Sequence, residues 1–228
     1  PISSDMSVMR TSLWPGLLNT LKHNVNRQHE RVRIFELGQV FLRREERTEY
    51  PTYLGGLIYG PVNPEVWSHT KRQPDFFDIK GDVETLLDFS KSQNSFGFVP
   101  AQHQALHRGQ CAALELNGIR VGILGALDPA LQRELGFNNR VYVFEIDIES
   151  LQKAKIPRIK ELSKYPEVNR DLAIVVDVDV SAAQIIGNVR ENAGDSLVDL
   201  RIFDVYQGDA VEKTKKSIAL GLTLQHPS

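Results

Sequence analysis

The chain has almost no cysteine, because Cys111 is the single one among its 228 residues. One thiol cannot build an intrachain disulfide framework or a cysteine-based zinc site. The sequence also lacks an apolar run of roughly 20 residues, the length needed to cross a bilayer, and it lacks a signal peptide. These absences predict a protein of the reducing cytoplasm with no membrane partner.

An excess of basic residues is also missing, since 27 Lys and Arg face 29 Asp and Glu and the net charge is −2. Proteins that bind nucleic acid non-specifically carry a basic excess that neutralises phosphates. We therefore expect any RNA contact to be local and to depend on base stacking and shape. The chain starts at Pro1, which predicts that it is a piece of a longer protein.

The motifs of the common nucleotide-binding and hydrolase sites are absent: there is no GxxxxGK[ST], GxGxxG or GxSxG. His103, His107 and Cys111 are spaced four apart and would align three ligands on a helix. Pro100 and Gly109 disfavour a helix there, so the sequence predicts no metal site at these residues. His107 is expected to form hydrogen bonds within a loop.

An acidic stripe at helical spacing leaves two interpretations open. Asp75, Asp78 and Asp82 can form the solvated start of a helix, where negative charge favours the dipole. The alternative is a magnesium site on the same face. The first interpretation is the more common one for such a stripe.

The first part of the chain predicts an α+β fold with an antiparallel sheet and flanking helices. An amphipathic helix over residues 12–27 is capped by Ser12 and buries a stripe that contains Leu13, Leu17 and Leu21. That stripe is either core or a subunit interface. A second helix is predicted over Phe76–Phe89. The expected strands are Arg31–Phe41, Tyr53–Gly60, Ser95–Val99, Ala112–Leu116, Arg120–Leu124 and Val141–Ile146.

Three local signals sharpen that prediction. Asn117-Gly118 between two strands indicates a tight hairpin. Asp128–Leu135 reads as a short helix that starts at Pro129. Arg31–Phe41 is apolar on both faces, which favours a central strand.

The second part predicts a β-α-β-β order, the beginning of a ferredoxin-like unit. Lys153–Lys164 is polar and basic and contains a proline, so we interpret it as a linker. The predicted domains are therefore 1–152 and 165–228. The elements of the second domain are strand Leu172–Asp177, helix Ser181–Asn192 with a capping box, and strands Leu197–Tyr206 and Ser217–Leu224.

One face of this second sheet is a candidate RNA surface. Ile218 and Leu220 alternate with Ser217 and Ala219, so the first pair faces the helix and the second lines an open face. The same alternation on the neighbouring strand places Arg201 and Phe203 on the open face. Small residues beside an aromatic ring and a guanidinium can stack unpaired bases.

The positions of three further residues stay open at this stage. Asp204 and Tyr206 have core parity unless a bulge intervenes. Arg170, next to Asp171, is either half of an ion pair or an RNA contact. The predicted RNA-binding set is Arg170, Arg201, Phe203, Tyr206 and Ser217.

Five segments in order resemble the β subunit of bacterial phenylalanyl-tRNA synthetase. They read MRTSLWPGLL, VRIFELGQVF, FDIKGDVETLL, LHRGQCAALELNGIRVGILGALDP, and YPEVNRDLAIVV with FDVYQG. The resemblance covers nearly the whole chain, which would be a C-terminal part cut before the end. It implies a class II synthetase-like domain that has lost its activity, followed by a truncated ferredoxin-like anticodon-binding domain.

The resemblance also implies roles and partners. Residues 12–27 would be the interface helix, Arg31–Phe41 the strand that carries an ATP-contacting Arg, and Val121–Gly125 the glycine-rich strand. Asp128-Pro129 stands where an active enzyme would place Glu-Arg, so no bidentate clamp on phosphate is expected. No catalytic residue and no cofactor is therefore expected in this chain.

ATP and magnesium are implied for the holoenzyme, and the implied partners are a catalytic α subunit, tRNA(Phe) and a second αβ pair. Two other functions remain in view. One is an enzyme that activates an amino acid by itself, and the other is a structural scaffold without RNA binding.

Overall fold

The computed structural model describes residues 7–44, 47–68, 71–89, 96–152 and 163–226. The chain divides into two compact units, Pro1–Pro157 and Arg158–Ser228. Most of the predicted linker, residues 153–162, lies outside the described residues. No helix in the described ranges is both long and apolar enough to span a membrane.

The first unit is built on a six-stranded sheet in which every neighbouring pair is antiparallel. Its strands are β1 (Val32–Gln39), β4 (Thr52–Tyr59), β5 (Phe96–Pro100), β6 (Leu106–Leu116), β7 (Ile119–Leu127) and β8 (Val141–Asp147). Their order across the sheet is β1-β4-β8-β7-β6-β5. A separate hairpin joins β2 (Leu42–Arg44) to β3 (Arg47–Glu49).

Two helices pack on opposite faces of this sheet. The helix α1 (Trp14–Val25) buries Leu13, Leu17 and Leu21 against one face, together with Val143 of β8. The helix α2 (Phe76–Phe89) buries Ile79 against the other face. Alternate residues of β8 serve the two cores, because successive side chains of a strand point to opposite faces. The short helices α3 (Pro129–Glu134) and α4 (Ile148–Gln152) flank β8 along the chain.

Local signals of the sequence set several of these boundaries. Asn117 and Gly118 have φ values of 52° and 78°, and they close the β6–β7 hairpin with the positive dihedrals of a tight turn. The Asp128 carboxylate accepts hydrogen bonds from the backbone N–H groups of Ala130 and Leu131 and caps α3. The predicted helix over Phe76–Phe89 is confirmed at both ends.

The prediction that residues 31–41 form a central strand is wrong, because β1 lies at the edge of the sheet. Its apolar outer residues are solvent-exposed: the side chain of Phe35 is 76% exposed, and Leu37 is also exposed. The apolar residues on the outer face of β1 therefore lie on the protein surface and are not buried under a second layer of the described chain. The cap of α1 also differs, since the residue at the N-cap is Leu13 and Ser12 precedes it.

The second unit is a three-stranded antiparallel sheet with one described helix. Its elements are β9 (Val168–Asp177), α5 (Ala182–Ala193), β10 (Leu197–Tyr206) and β11 (Lys215–Leu224), and the sheet order is β10-β11-β9. The predicted capping box is confirmed, because Ser181 accepts from the Gln184 N–H and the Gln184 side chain accepts from the Ser181 N–H. The core holds Ile185 of α5 against Ile218 and Leu220.

Candidate nucleic-acid interface

Among the described residues of the second unit, no helix or strand covers the face of the sheet that points away from α5. We call it the open face. Residues directly opposite each other on paired strands share a face, so the register identifies its members. Ser217, Ala219, Gly221 and Thr223 of β11 alternate with the buried Ile218 and Leu220 and therefore form its centre. These four side chains are small, which leaves room above the central strand.

Arg201 lies across this small-residue floor. It is paired with Gly221, and a Cβ added at Gly221 would sit 3.0 Å from Nε of Arg201. A side chain at position 221 would therefore press on the side chain of Arg201. The central carbon of the Arg201 guanidinium also lies 6.0 Å from the centre of the Phe203 ring, at the outer limit of a cation–π contact.

A bulge in β10 changes which residues follow on this face. Ile202 pairs with Leu220, but the next registered pair is Asp204 with Ala219, so Phe203 is the extra residue. Beyond the bulge the parity is reversed, and Tyr206 pairs with Ser217 on the open face. The side of Asp204 and Tyr206, left open by the sequence, is therefore the same as that of Arg201.

The three predicted residues Arg201, Phe203 and Tyr206 are all solvent-exposed. The side chain of Phe203 is 52% exposed, and that of Tyr206 is half-exposed. Together with Ser217 they form what we call the open-face cluster: Arg201, Phe203, Tyr206 and Ser217. Two aromatic rings and a guanidinium beside a flat floor suit the stacking of unpaired bases.

Arg170 does not join this cluster. It pairs with Leu222, whose side is that of the α5 core, whereas its neighbour Asp171 pairs with Gly221 on the open face. Placing Arg170 among the RNA contacts is thus not supported by the register. The alternative of an ion pair with Asp171 is not supported either, because no such pair is present between these two described residues.

The acidic residues of the open face were not among the predicted site residues. Asp171 and Asp199 line a depression of about 210 Å³ with Arg201 and Gly221. Asp199 pairs with Thr223, which donates a hydrogen bond to Asn169 at 2.9 Å. The alternation that located Arg201 on β10 also applied to Asp199, so the signal was available. The carboxylates repel phosphate groups at this depression, but they can accept hydrogen bonds from donor groups on the edges of bases.

In the first unit, the predicted interface residues Leu13, Leu17 and Leu21 are core residues. Their side chains are at most 3% exposed and pack on the sheet of their own unit. The interpretation of this stripe as a subunit interface is therefore wrong, and the alternative interpretation as core is right. A side chain buried in its own unit cannot contact a partner. The exposed positions of α1 lie on its opposite side.

The acidic stripe of α2 is engaged within the protein. Arg72 donates two hydrogen bonds to the Asp78 carboxylate at 2.9 and 2.6 Å, and this contact lowers the pKa of Asp78. Arg33 pairs with Asp82 at 3.1 Å, and Asp75 accepts from the Phe77 N–H. No group of three side chains suited to a metal ion occurs in the described part of the chain.

Neither His103 nor His107 is part of a helix: His103 precedes β6, and His107 lies within it. His103 stacks edge-on against Trp14, with ring centres 5.2 Å apart. Burial, with a smaller contribution from Arg120, lowers the pKa of His103. His107 accepts a hydrogen bond from the Gly109 N–H at 3.0 Å, so its contact is local as expected, but it lies in strand β6 and not in a loop.

Comparison with known proteins finds one matching family model for each of the two units. The model of the phenylalanyl tRNA synthetase beta chain CLM domain matches residues 1–148, and that of the ferredoxin-fold anticodon binding domain matches residues 163–228. The chain is 49% identical over 228 residues to a phenylalanine–tRNA ligase beta subunit of Pseudomonas fluorescens.

Two further relatives carry the same name, with 46% identity over 225 residues in Methylococcus capsulatus and 43% over 227 residues in Hahella chejuensis. All or nearly all of this chain is covered, but only 28–29% of each relative's length. The first family model alone covers more than half of the sequence. The chain therefore belongs to the phenylalanyl-tRNA synthetase β-chain family.

Proposed function

We propose that the chain is a non-catalytic part of a phenylalanine–tRNA ligase that positions tRNA(Phe) and the catalytic α subunit. The observation that supports RNA contact is the open-face cluster, in which exposed aromatic rings flank a guanidinium above small residues. Single-stranded loops are recognised in this way, by stacking and base-edge hydrogen bonds. The ligand of this face would be the anticodon stem-loop.

The acidic residues of the open face limit the contribution of phosphate contacts to the proposed RNA binding. Asp171, Asp199 and Asp204 outnumber Arg201, so electrostatic attraction to phosphate contributes little. We expect a weak salt dependence and a preference for loop sequence over stem. The same charges favour the competing function, a scaffold without RNA binding.

One binding experiment separates the two. The chain is titrated with a fluorescent tRNA(Phe) anticodon stem-loop at 50 and 200 mM salt, and a stem-loop with the same stem and a shuffled loop is the control. The proposal expects the native loop to bind at least tenfold more tightly, with little change between the two salt concentrations. Equal affinities for the two loops would support the scaffold.

Contact with the α subunit would use the outer face of β1. Phe35 and Leu37 are exposed on an edge strand, and exposed apolar side chains of this size mark interaction surfaces. Co-expression with an α subunit, followed by size-exclusion chromatography with light scattering, tests this contact. A complex that is lost in Phe35→Glu but kept in Phe77→Glu, an exposed aromatic on α2, would support it. An undiminished complex in Phe35→Glu would refute it.

We also propose that the chain has no catalytic activity, from the resemblance of the first unit to a class II synthetase domain. Asp128 caps α3 and Pro129 begins it, so no guanidinium stands at the position where an active enzyme would clamp phosphate. ATP and magnesium would be bound by the α subunit, and a second αβ pair would complete the assembly. Phenylalanine-dependent pyrophosphate exchange by the isolated chain would overturn this assignment.

A further inference from the structure

The first unit contains a cavity of about 750 Å³ beside the start of α1. Its walls come from α1, β7, β8, α3 and the segment before β6, all within this unit. The volume lies within the range of small-molecule sites in proteins. None of the residues discussed for RNA or subunit contact lines it.

One carboxylate is held inside the cavity wall. Glu145 is only 8% exposed and lies between the apolar residues Phe144 and Ile146 of β8. Its Oε1 accepts hydrogen bonds from the Leu13 N–H at 2.6 Å and from the Ser12 hydroxyl at 3.1 Å. Burial raises the pKa of Glu145, because desolvation disfavours the charged form.

The second oxygen of Glu145 has no such contact. Within the described part of the chain no donor reaches Oε2, and no buried side-chain oxygen there is left without a partner. Glu145 is among the residues that line the cavity. A buried carboxylate with one free oxygen favours a ligand that supplies a donor and a positive charge.

The rest of the wall is mainly apolar. Leu18 of α1, Leu127 of β7 and Leu131 of α3 face the same space, and Trp14 and Tyr53 add aromatic surface. Asp147 also lines the cavity, but its oxygens accept from the Glu149 N–H and the Ser150 hydroxyl. His103 and the guanidinium-bearing Arg120 also line the cavity, so Glu145 is one of several polar groups in a wall that is otherwise apolar.

We propose that this cavity binds a small amphipathic cation, a primary ammonium on an apolar body, with Glu145 Oε2 as the acceptor. The ammonium would complete the hydrogen bonding of the carboxylate, and the apolar body would cover the leucine side chains. The site is separate from the open-face cluster, so it stands or falls independently of the proposed RNA function.

The probe pair is 2-phenylethylamine and 2-phenylethanol, which have similar shape and differ in charge. Trp14 lines the cavity and Trp67 is fully exposed, so a Trp67→Phe background leaves Trp14 as the fluorescent reporter. We expect the amine to bind at least about tenfold more tightly than the alcohol, as a charged hydrogen bond would provide. Equal binding of the two probes would overturn the proposal.

Glu145→Gln keeps an oxygen for Leu13 and Ser12 but removes the charge. It should abolish the preference for the amine and leave the alcohol affinity unchanged. Glu134→Gln makes the same change on an exposed residue outside the cavity and should alter neither affinity. An amine preference that survives Glu145→Gln would overturn the assignment of the acceptor.

Two further measurements guard against misfolding and occlusion. Leu131→Phe narrows the cavity without touching Glu145 and should weaken both probes; unchanged binding of both would place the probes elsewhere and refute the site. The titration is repeated on the full-length β subunit assembled with its α subunit. Retained amine binding supports a ligand site, whereas loss of binding on assembly shows that a partner covers the cavity and overturns the proposal.

Discussion

The guanidinium of Arg201 lies 6.0 Å from the ring centre of Phe203, and both residues stand at a bulge of β10. They are two residues apart, so the ordinary alternation of a strand places them on the same side of the sheet. The bulge at Phe203 reverses the parity of the residues that follow and brings Tyr206 to that side as well. The second aromatic ring of the stacking surface thus depends on one extra residue in β10.

Phe203→Ala should weaken binding of the anticodon stem-loop by roughly 1–3 kcal/mol, the usual contribution of one base stack. The expected readout is a lower affinity in fluorescence anisotropy with an unchanged thermal melt. Phe89→Ala removes an exposed ring from α2 in the other unit and is the control. An affinity that stays the same in a folded Phe203→Ala protein would remove Phe203 from the site.

Gly221→Ala should displace Arg201 without unfolding the sheet. The new Cβ would stand 3.0 Å from Nε and 3.3 Å from Cγ of Arg201, so the flexible side chain has to move. We expect RNA affinity to fall while the circular dichroism spectrum is retained. Gly187→Ala in α5 meets no atom within 4 Å and should stabilise the unit by about 1 kcal/mol with no effect on RNA. Equal RNA affinities in the two variants would contradict the role of Arg201.

Asp78→Asn should destabilise the protein at neutral pH and have little effect at low pH. The hydrogen bond from Arg72 lowers the pKa of Asp78 in the folded state, so folding favours the ionised carboxylate. That stabilisation is present above the ordinary aspartate pKa of about 3.9 and is lost as the pH falls through the lowered folded value. Urea denaturation at several pH values measures the difference.

The control for that series is Asp88→Asn, near the end of the same helix, where no ion-pair partner occurs among the described residues. It should not reproduce the pH-dependent loss. If both substitutions give the same profile, the contact with Arg72 does not stabilise the fold.

Gly60→Ala should destabilise the first unit far more than Gly136→Ala. Both glycines have positive φ, 78° and 80°, which costs a residue with a Cβ about 1–2 kcal/mol. At Gly60 the added Cβ would also overlap the carbonyl group of Glu30, whereas at Gly136 it meets no atom within 4 Å. Thermal melts of the two variants compare the costs, and equal losses would show that the close approach at Gly60 relaxes freely.

Local sequence signals predicted the elements well. The apolar spacing of α2, the Asn117-Gly118 turn and the Ser181 capping box act between residues that are near in sequence, so they could be recognised without the fold. The alternation in β11 likewise predicted which face is open. Each of these features depends on a few neighbouring residues.

The wrong or incomplete predictions concern features that depend on residues distant in sequence but close in space. The position of β1 at the sheet edge depends on which strand pairs with it, and no pattern within residues 31–41 carries that information. The bulge at Phe203 and the side of Arg170 depend on cross-strand register. Glu145 did leave a trace in the sequence, because a carboxylate inside the apolar run VYVFEI marks a buried polar group that needs a partner.

The pairing of β4 with β8 constrains how the first unit is made. Residues 53–59 bond to residues 141–147, so the centre of the sheet joins strands that are far apart in the chain. Translation proceeds at roughly 5–20 residues per second, so β8 leaves the ribosome on the order of several seconds after β4. The hairpin of β1 and β4 has no β8 partner during that time. During that interval the edge of β4 that later pairs with β8 is uncovered, whereas β1 stays at the edge of the sheet and Phe35 stays exposed after the sheet is complete.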